Sequence, residues 1–211
     1  IRYDMRGHGL SDAPPAPYSM GTLVSDAERL ADYLGVRNCV FVGLSVGGLI
    51  AQGLAVKRPD IVAQMVLSNT AAKIGTRAMW DDRIASVKTG GIAALGDSIM
   101  ERWFSARFLD GPERAGWQHL LERQPDEGYM GVSAAISHTD FMNTTADLTL
   151  PTLAIAGSED GATPPDLVRE TAALVPGSRF ELLRGAGHLP CVEDPEGYAR
   201  ILCAFIAETA D

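Results

Sequence analysis

From Ser19 onward the apolar residues Leu23, Val24, Ala27, Leu30, Ala31 and Leu34 recur at helical spacing, which predicts a helix with one buried stripe, stopped at Gly35. The next apolar run, NCVFVGL at 38–44, has no such period. It is short and rich in branched residues, as a strand buried on both faces of a parallel sheet would be. A second helix is expected from Val46 to Arg58, with Lys57 and Arg58 at its negative end and Pro59 closing it. IVAQMVLSN at 61–69 then reads as another strand.

Ahead of these elements, IRYD reads as the end of a strand, and MRGHGLSDAPPAP as a loop. The resulting alternation of strand and helix predicts right-handed crossovers and a mostly parallel, doubly wound α/β sheet. Residues 71–146 break the rhythm. Trp80, Ile84, Val87, Ile92, Leu95, Ile99, Trp103 and Phe104 mark amphipathic helices with no strand between them, so an inserted helical cap is expected there. The cap would divide an α/β core made of residues 1–70 and 147–211. Alternation resumes with PTLAIAG, a helix from Pro165 to Leu174, the strand SRFELL and a last helix. That helix starts at Asp194 and Pro195 and should bury Tyr198, Ile201, Leu202, Phe205 and Ile206.

Composition narrows the function classes. The 211 residues are 46% apolar and 21% charged, an ordinary balance for one globular domain. Twenty-seven acids against 18 bases give a charge of -9 with no basic run, which argues against a nucleic-acid partner. No apolar run is long enough to span a bilayer, and the expected location is the cytoplasm. The three cysteines, Cys39, Cys191 and Cys203, lack metal spacing and are expected to be buried free thiols. The four histidines show no paired-ligand spacing, so no metal is expected.

One motif carries chemistry. Gly43-Leu44-Ser45-Val46-Gly47 is a G-x-S-x-G placed between a predicted strand and a predicted helix. On such a turn the serine takes strained backbone angles, glycines two residues to either side avoid collisions, and the Val46 amide can stabilise an oxyanion. A serine nucleophile needs a base and a group to orient it. Asp160, just past the strand TLAIA, and His188, in the loop after the last strand, supply both at the edge where ligands bind in α/β sheets. Glu159 competes with Asp160, and His8 with His188, but His8 precedes the serine in a loop read as structural. Trp80, Trp103, Phe104 and Phe108 are either core or the lining of a pocket.

These segments resemble the α/β-hydrolase superfamily and, more narrowly, the 3-oxoadipate enol-lactonases. The likeness runs through RYDMRGHGLSDAPPAPYS, GLSVGG, SNTAAKIG, ERWF, EGY and AGSEDGATPP. It implies Ser45 as nucleophile, Asp160 as orienting acid, His188 as base and Val46 as oxyanion donor. It also implies a cofactor-free opening of an enol-lactone through an acyl-enzyme. Alternatives on the same scaffold are a general carboxylesterase, a haloperoxidase-like perhydrolase and a non-hydrolytic small-molecule receptor. Oligomeric state is left open. The lactone carries a carboxylate, so a local cation is needed, and Lys73, Arg77, Arg83 and Arg102 are the candidates, with Trp80 and Trp103 as further substrate contacts. Superfamily members have strands ahead of RYD, one of them lying in the sheet between RYD and CVFVGL. Those strands are absent from this sequence. The chain is therefore expected to be a piece of a longer enzyme, to keep one of two oxyanion donors and to be weakly active or inactive by itself.

Overall fold

The computed structural model describes residues 1–208. In chain order the elements are α1 (Met20–Tyr33), β1 (Cys39–Leu44), α2 (Val46–Lys57), β2 (Val62–Ser68) and α3 (Arg77–Gly90). A 3-10 turn at Ile92–Leu95 leads into α4 (Gly96–Trp103), α5 (Ala106–Leu109), α6 (Arg114–Glu122), α7 (Asp126–Ser137) and α8 (Met142–Ala146). The chain closes with β3 (Thr152–Gly157), α9 (Pro165–Leu174), β4 (Arg179–Leu183), α10 (Pro190–Glu193) and α11 (Pro195–Glu208).

The four strands form one parallel sheet in the order β1-β2-β3-β4. Side chains alternate between its faces, as the two-residue period of a strand requires. Met65 and Leu67 of β2 pack with Leu23 and Val24 of α1 and with Leu49 and Leu54 of α2. Ala154 and Ala156 of β3 meet Val168 and Ala172 of α9. On the opposite face Val66, Leu153 and Ile155 pack with Tyr198 and Phe205 of α11. Helices thus cover both faces, and β3 is buried throughout. Because all strands run the same way, their carboxyl ends and the loops that follow share one edge.

Local signals explain most boundaries. The Ser19 hydroxyl accepts the Thr22 N–H at the start of α1, and Gly35 follows that helix at φ 65°. Asp194 Oδ1 accepts Gly197 N–H at 2.9 Å at the start of α11. The segment between β2 and β3 is helical. Val87, Ile92, Ile99 and Leu121 form a small core of their own, whereas Trp80, Val132, Ala135 and Ile136 join the main one. No helix among the described residues is long and apolar enough to cross a membrane.

Four expectations require correction. Ile1–Asp4 is exposed and outside the sheet; its backbone has no ladder partner among the described residues, and Asp4 instead accepts Leu10 N–H and Ser11 O–H within the following loop. Strand β1 is consequently an edge, not a strand buried on both faces. Val42 is 42% exposed, and a groove of about 510 Å3 lined by Ile1, Tyr3, Leu30 and Leu34 runs beside it. The cysteines are free, but Cys39 is half-buried and Cys191 and Cys203 are exposed; Cys203 lies on the side of α11 away from Phe205. Ile206, next to the buried Phe205, is 37% exposed, since the inward stripe of α11 is narrow.

Candidate active site

Ser45 is the single residue between the last position of β1 and the first of α2, and it adopts φ 54° and ψ −119°. A non-glycine residue there stores about 1–3 kcal/mol of strain, so its surroundings must hold it. They do so through the backbone: Ser45 N–H donates to Ser68 O at 3.0 Å, and Ser45 O accepts the Thr70 hydroxyl at 2.6 Å and Gly48 N–H at 2.9 Å. The glycines divide differently from the sequence motif. A Cβ on Gly43 would lie 2.2 Å from Gly47 O, and one on Gly48 would lie 2.3 Å from the Thr70 methyl, but one on Gly47 would meet nothing within 4 Å. Gly48, not Gly47, is the second glycine the elbow requires. The Val46 amide is the first of α2 and has no acceptor of its own within the helix.

Asp160 follows β3, and His188 follows β4, at the same sheet edge. Both are almost fully buried, at 4% and 2% exposure. His188 Nδ1 lies 2.8 Å from Asp160 Oδ2. The carboxylate is saturated with donors: Oδ1 accepts Ala162 N–H at 2.7 Å and Thr163 N–H at 2.9 Å, and Oδ2 accepts the Thr163 hydroxyl at 2.8 Å and the Asn69 amide at 2.9 Å. Burial alone would raise the Asp160 pKa. The hydrogen bond and charge of His188, with the donors from Asn69 and Thr163, outweigh it and bring the pKa below its ordinary value. An ionised Asp160 makes Nδ1 the protonated ring nitrogen, which leaves Nε2 as the basic one.

Ser45 reaches this pair through β2. Its N–H binds Ser68 O, and the next residue, Asn69, at φ 47°, donates from one amide nitrogen to Asp160 Oδ2 and, at 3.1 Å, to Gly187 O. Among the described residues the Ser45 hydroxyl makes no hydrogen bond, to His188 or to any other group. The neighbouring Glu159 is exposed. His8 Nδ1 lies 3.2 Å from Arg6 O within its own loop, and burial lowers its pKa.

The helical segment closes over the histidine. His188 N–H donates to Trp103 O at 2.7 Å, and the two rings stack at 6.0 Å and 27°. Gly161 N–H donates to Arg102 O at 3.0 Å. Glu193 accepts Gly187 N–H at 2.7 Å together with the backbone and hydroxyl of Ser105, tying the histidine loop to α5. Of the expected substrate contacts, the structure thus brings Trp103 and Arg102 to the acid–histidine pair. Trp80 is core, with its indole N–H on Ile74 O at 2.7 Å. Arg77 is exposed and faces Asp81, and Lys73 pairs with Asp140. Phe104 is buried and stacks on Phe108 at 4.3 Å. Sequence reasoning missed Asn69, Thr163 and Glu193. Only Asn69 carried a usable signal, a polar residue at the carboxyl end of a buried strand.

Comparison with known proteins places the chain in a family. The chain is 34% identical over 200 residues to 3-oxoadipate enol-lactonase 2 of Acinetobacter baylyi, covering 94% of this chain and 74% of that protein. The enol-lactonase of Burkholderia xenovorans LB400 superposes with a TM-score of 0.93 at 33% identity, covering 98% and 80% of the two chains. A hydrolase of Pseudomonas aeruginosa PA01 gives 0.92 at 36%, covering 97% and 78%. A model of the alpha/beta hydrolase family matches residues 1–201, and the chain belongs to that family.

Proposed function

We propose that the protein is a carboxylic ester hydrolase that opens an enol-lactone, 3-oxoadipate enol-lactone or a near analogue, through an acyl-enzyme on Ser45. The observation that carries the reading is the buried, donor-saturated Asp160–His188 pair at the sheet edge that also bears the strained Ser45. The names of the enol-lactonases it resembles support the substrate class.

In this reading His188 Nε2 takes the Ser45 proton as the oxygen attacks the lactone carbonyl, and Asp160 holds the resulting imidazolium. The Val46 N–H stabilises the oxyanion. The ring C–O bond breaks, and the leaving enolate takes the proton from His188 and becomes the ketone. Water, deprotonated by His188, then attacks the acyl-serine carbonyl, the Ser45 oxygen leaves and takes that proton back from His188, and the keto-diacid is released. The sum is lactone plus water, with no net redox change. The test is hydrolysis of the enol-lactone beside a simple aryl ester, by the parent and by Ser45→Ala. The reading expects a higher kcat/KM for the lactone and a loss of at least about 10³-fold in the variant. Equal rates in parent and variant would reject the nucleophile, and a preference for the aryl ester would reject the lactone.

A further inference from the structure

Gly161 follows Asp160 and Gly187 precedes His188, and neither glycine has a positive φ. Both are needed for close approach instead, and both approach the end of α4. A Cβ on Gly187 would lie 2.5 Å from Trp103 O, and one on Gly161 would lie 3.2 Å from Arg102 O. The same two carbonyls take the hydrogen bonds: Arg102 O accepts Gly161 N–H at 3.0 Å, and Trp103 O accepts His188 N–H at 2.7 Å. The last carbonyls of a helix have no partner within it, so this end of α4 can serve the acid loop and the histidine loop together.

The histidine loop is held from two sides. From the acid loop and β2, the Ser158 hydroxyl accepts Gly185 N–H at 2.8 Å, Glu159 N–H donates to Ala186 O at 2.9 Å, and the Asn69 amide donates to Gly187 O at 3.1 Å. The last two N–H groups before the imidazole go elsewhere. That of Gly187 donates to Glu193 Oε1 at 2.7 Å, and that of His188 to α4. Glu193 also belongs to the helical side of this arrangement, because it accepts the Ser105 N–H at 3.2 Å and the Ser105 hydroxyl. Ser105 is buried, at 1% exposure. Among the described residues no cation pairs with Glu193; its partners are N–H and O–H donors of the two segments it joins. Geometry, rather than opposite charge, is what this carboxylate supplies.

A base held through its main chain by an element outside the sheet is displaced when that element is, and a misplacement of about 1 Å can cost about 10²-fold in rate. We propose that Glu193 is a positioning residue for His188. By holding Gly187 and Ser105 together it fixes the helical segment against the histidine loop, so that the seating of that segment sets the position of the imidazole. The effect on rate rests on the hydrolase reading above; the effect on the imidazole does not.

The test compares the parent with Glu193→Ala and Glu193→Gln. Glutamine should rescue, because its amide oxygen can accept Gly187 N–H while its NH2 donates to the Ser105 hydroxyl oxygen. One readout is hydrolysis of an aryl butyrate, with rates taken per site titrated by a fluorophosphonate. Glu193→Ala should lose at least about 10-fold in kcat with KM within about twofold, and Glu193→Gln should stay within about threefold of the parent in both. The other readout needs no turnover: the ring Cε1–H signal of His188 in NMR spectra, assigned by its loss in His188→Ala. It should be single in the parent and in Glu193→Gln, and broadened or doubled in Glu193→Ala. Should Glu193→Ala fail to fold, Ser105→Ala decides, with an expected loss of at least about threefold in kcat and the same broadening. Its hydroxyl also accepts Phe108 N–H at 3.3 Å, so its melting temperature is measured beside it. An unchanged ring signal in the alanine variants overturns the proposal. So does a rise in KM at constant kcat, or an equal loss in Glu193→Ala and Glu193→Gln. A parent that neither labels at Ser45 nor turns over the ester, but whose ring signal follows the same pattern, rejects the hydrolase and supports the positioning.

Discussion

Replacing Asn69 tests how the acid–histidine pair is held. In Asn69→Gly the chain loses the amide that donates to Asp160 Oδ2 at 2.9 Å and to Gly187 O at 3.1 Å, while glycine accepts φ 47° without strain. A hydrogen bond to a charged group contributes about 1.5–3 kcal/mol and one between neutral groups about 0.5–1.5 kcal/mol. Together they set the loss at about 2–4 kcal/mol, at the lower end if water enters in place of the amide. Asn69→Ala loses the same donors and keeps a Cβ at positive φ, which adds about 1–2 kcal/mol of strain. A stiffer unfolded chain offsets part of that, so alanine should be about 1 kcal/mol less stable than glycine. Urea unfolding at pH 7 measures both. Because the Asp160 anchor is weakened, kcat should fall more than KM rises in either variant. Stability within about 0.5 kcal/mol of the parent for both substitutions would show that the Asn69 amide does not hold Asp160 as argued.

The two elbow glycines should separate. Gly43→Ala places a methyl 2.2 Å from Gly47 O and should destabilise by about 1–3 kcal/mol with loss of Ser45 reactivity, whereas Gly47→Ala meets nothing and should melt at or above the parent temperature; equal melting temperatures would contradict the close approach. At the far end of α2, hydrogen bonds from Lys57 hold Glu28, and those from Arg58 hold Asp32 and Asp60, below their ordinary pKa values. Depressed carboxyl pKa values stabilise the fold fully above the ordinary carboxylate range, near pH 4, and stop doing so as pH falls through the depressed values. The difference in Tm between the parent and Arg58→Met should therefore be largest near pH 7, narrow as pH falls below the ordinary carboxylate range, and shrink in 1 M salt. A difference that stays constant or widens on acidification would refute the sign.

Much of the fold was legible because its signals are local. The helical spacing at Leu23, Val24 and Ala27, the run LAIA of β3, and Asp194 before Pro195 each report on their own few residues. Ser45 was legible for the same reason, as its strain and Gly43 lie within one turn of chain. What could not be read depends on distant partners. Asn69 matters through Asp160, 91 residues away, and Glu193 through Ser105, 88 residues away, and no period or motif encodes such a contact. IRYD and β1 misled for a related reason: branched apolar residues show that a segment can pair, and pairing requires a strand alongside. The cations at 73, 77, 83 and 102 were indistinguishable in sequence. The structure separates them, because two are neutralised at the surface and two are not.

The central claim is that Ser45, His188 and Asp160 act as one unit. Its most direct test is the rate at which a fluorophosphonate labels the protein, with the modified residue identified by mass spectrometry, in the parent, His188→Ala and Asp160→Asn. The account expects stoichiometric modification of Ser45 in the parent and rates reduced at least about 10²-fold in both variants. Modification elsewhere, or a Ser45 rate unchanged without the imidazole, would contradict it.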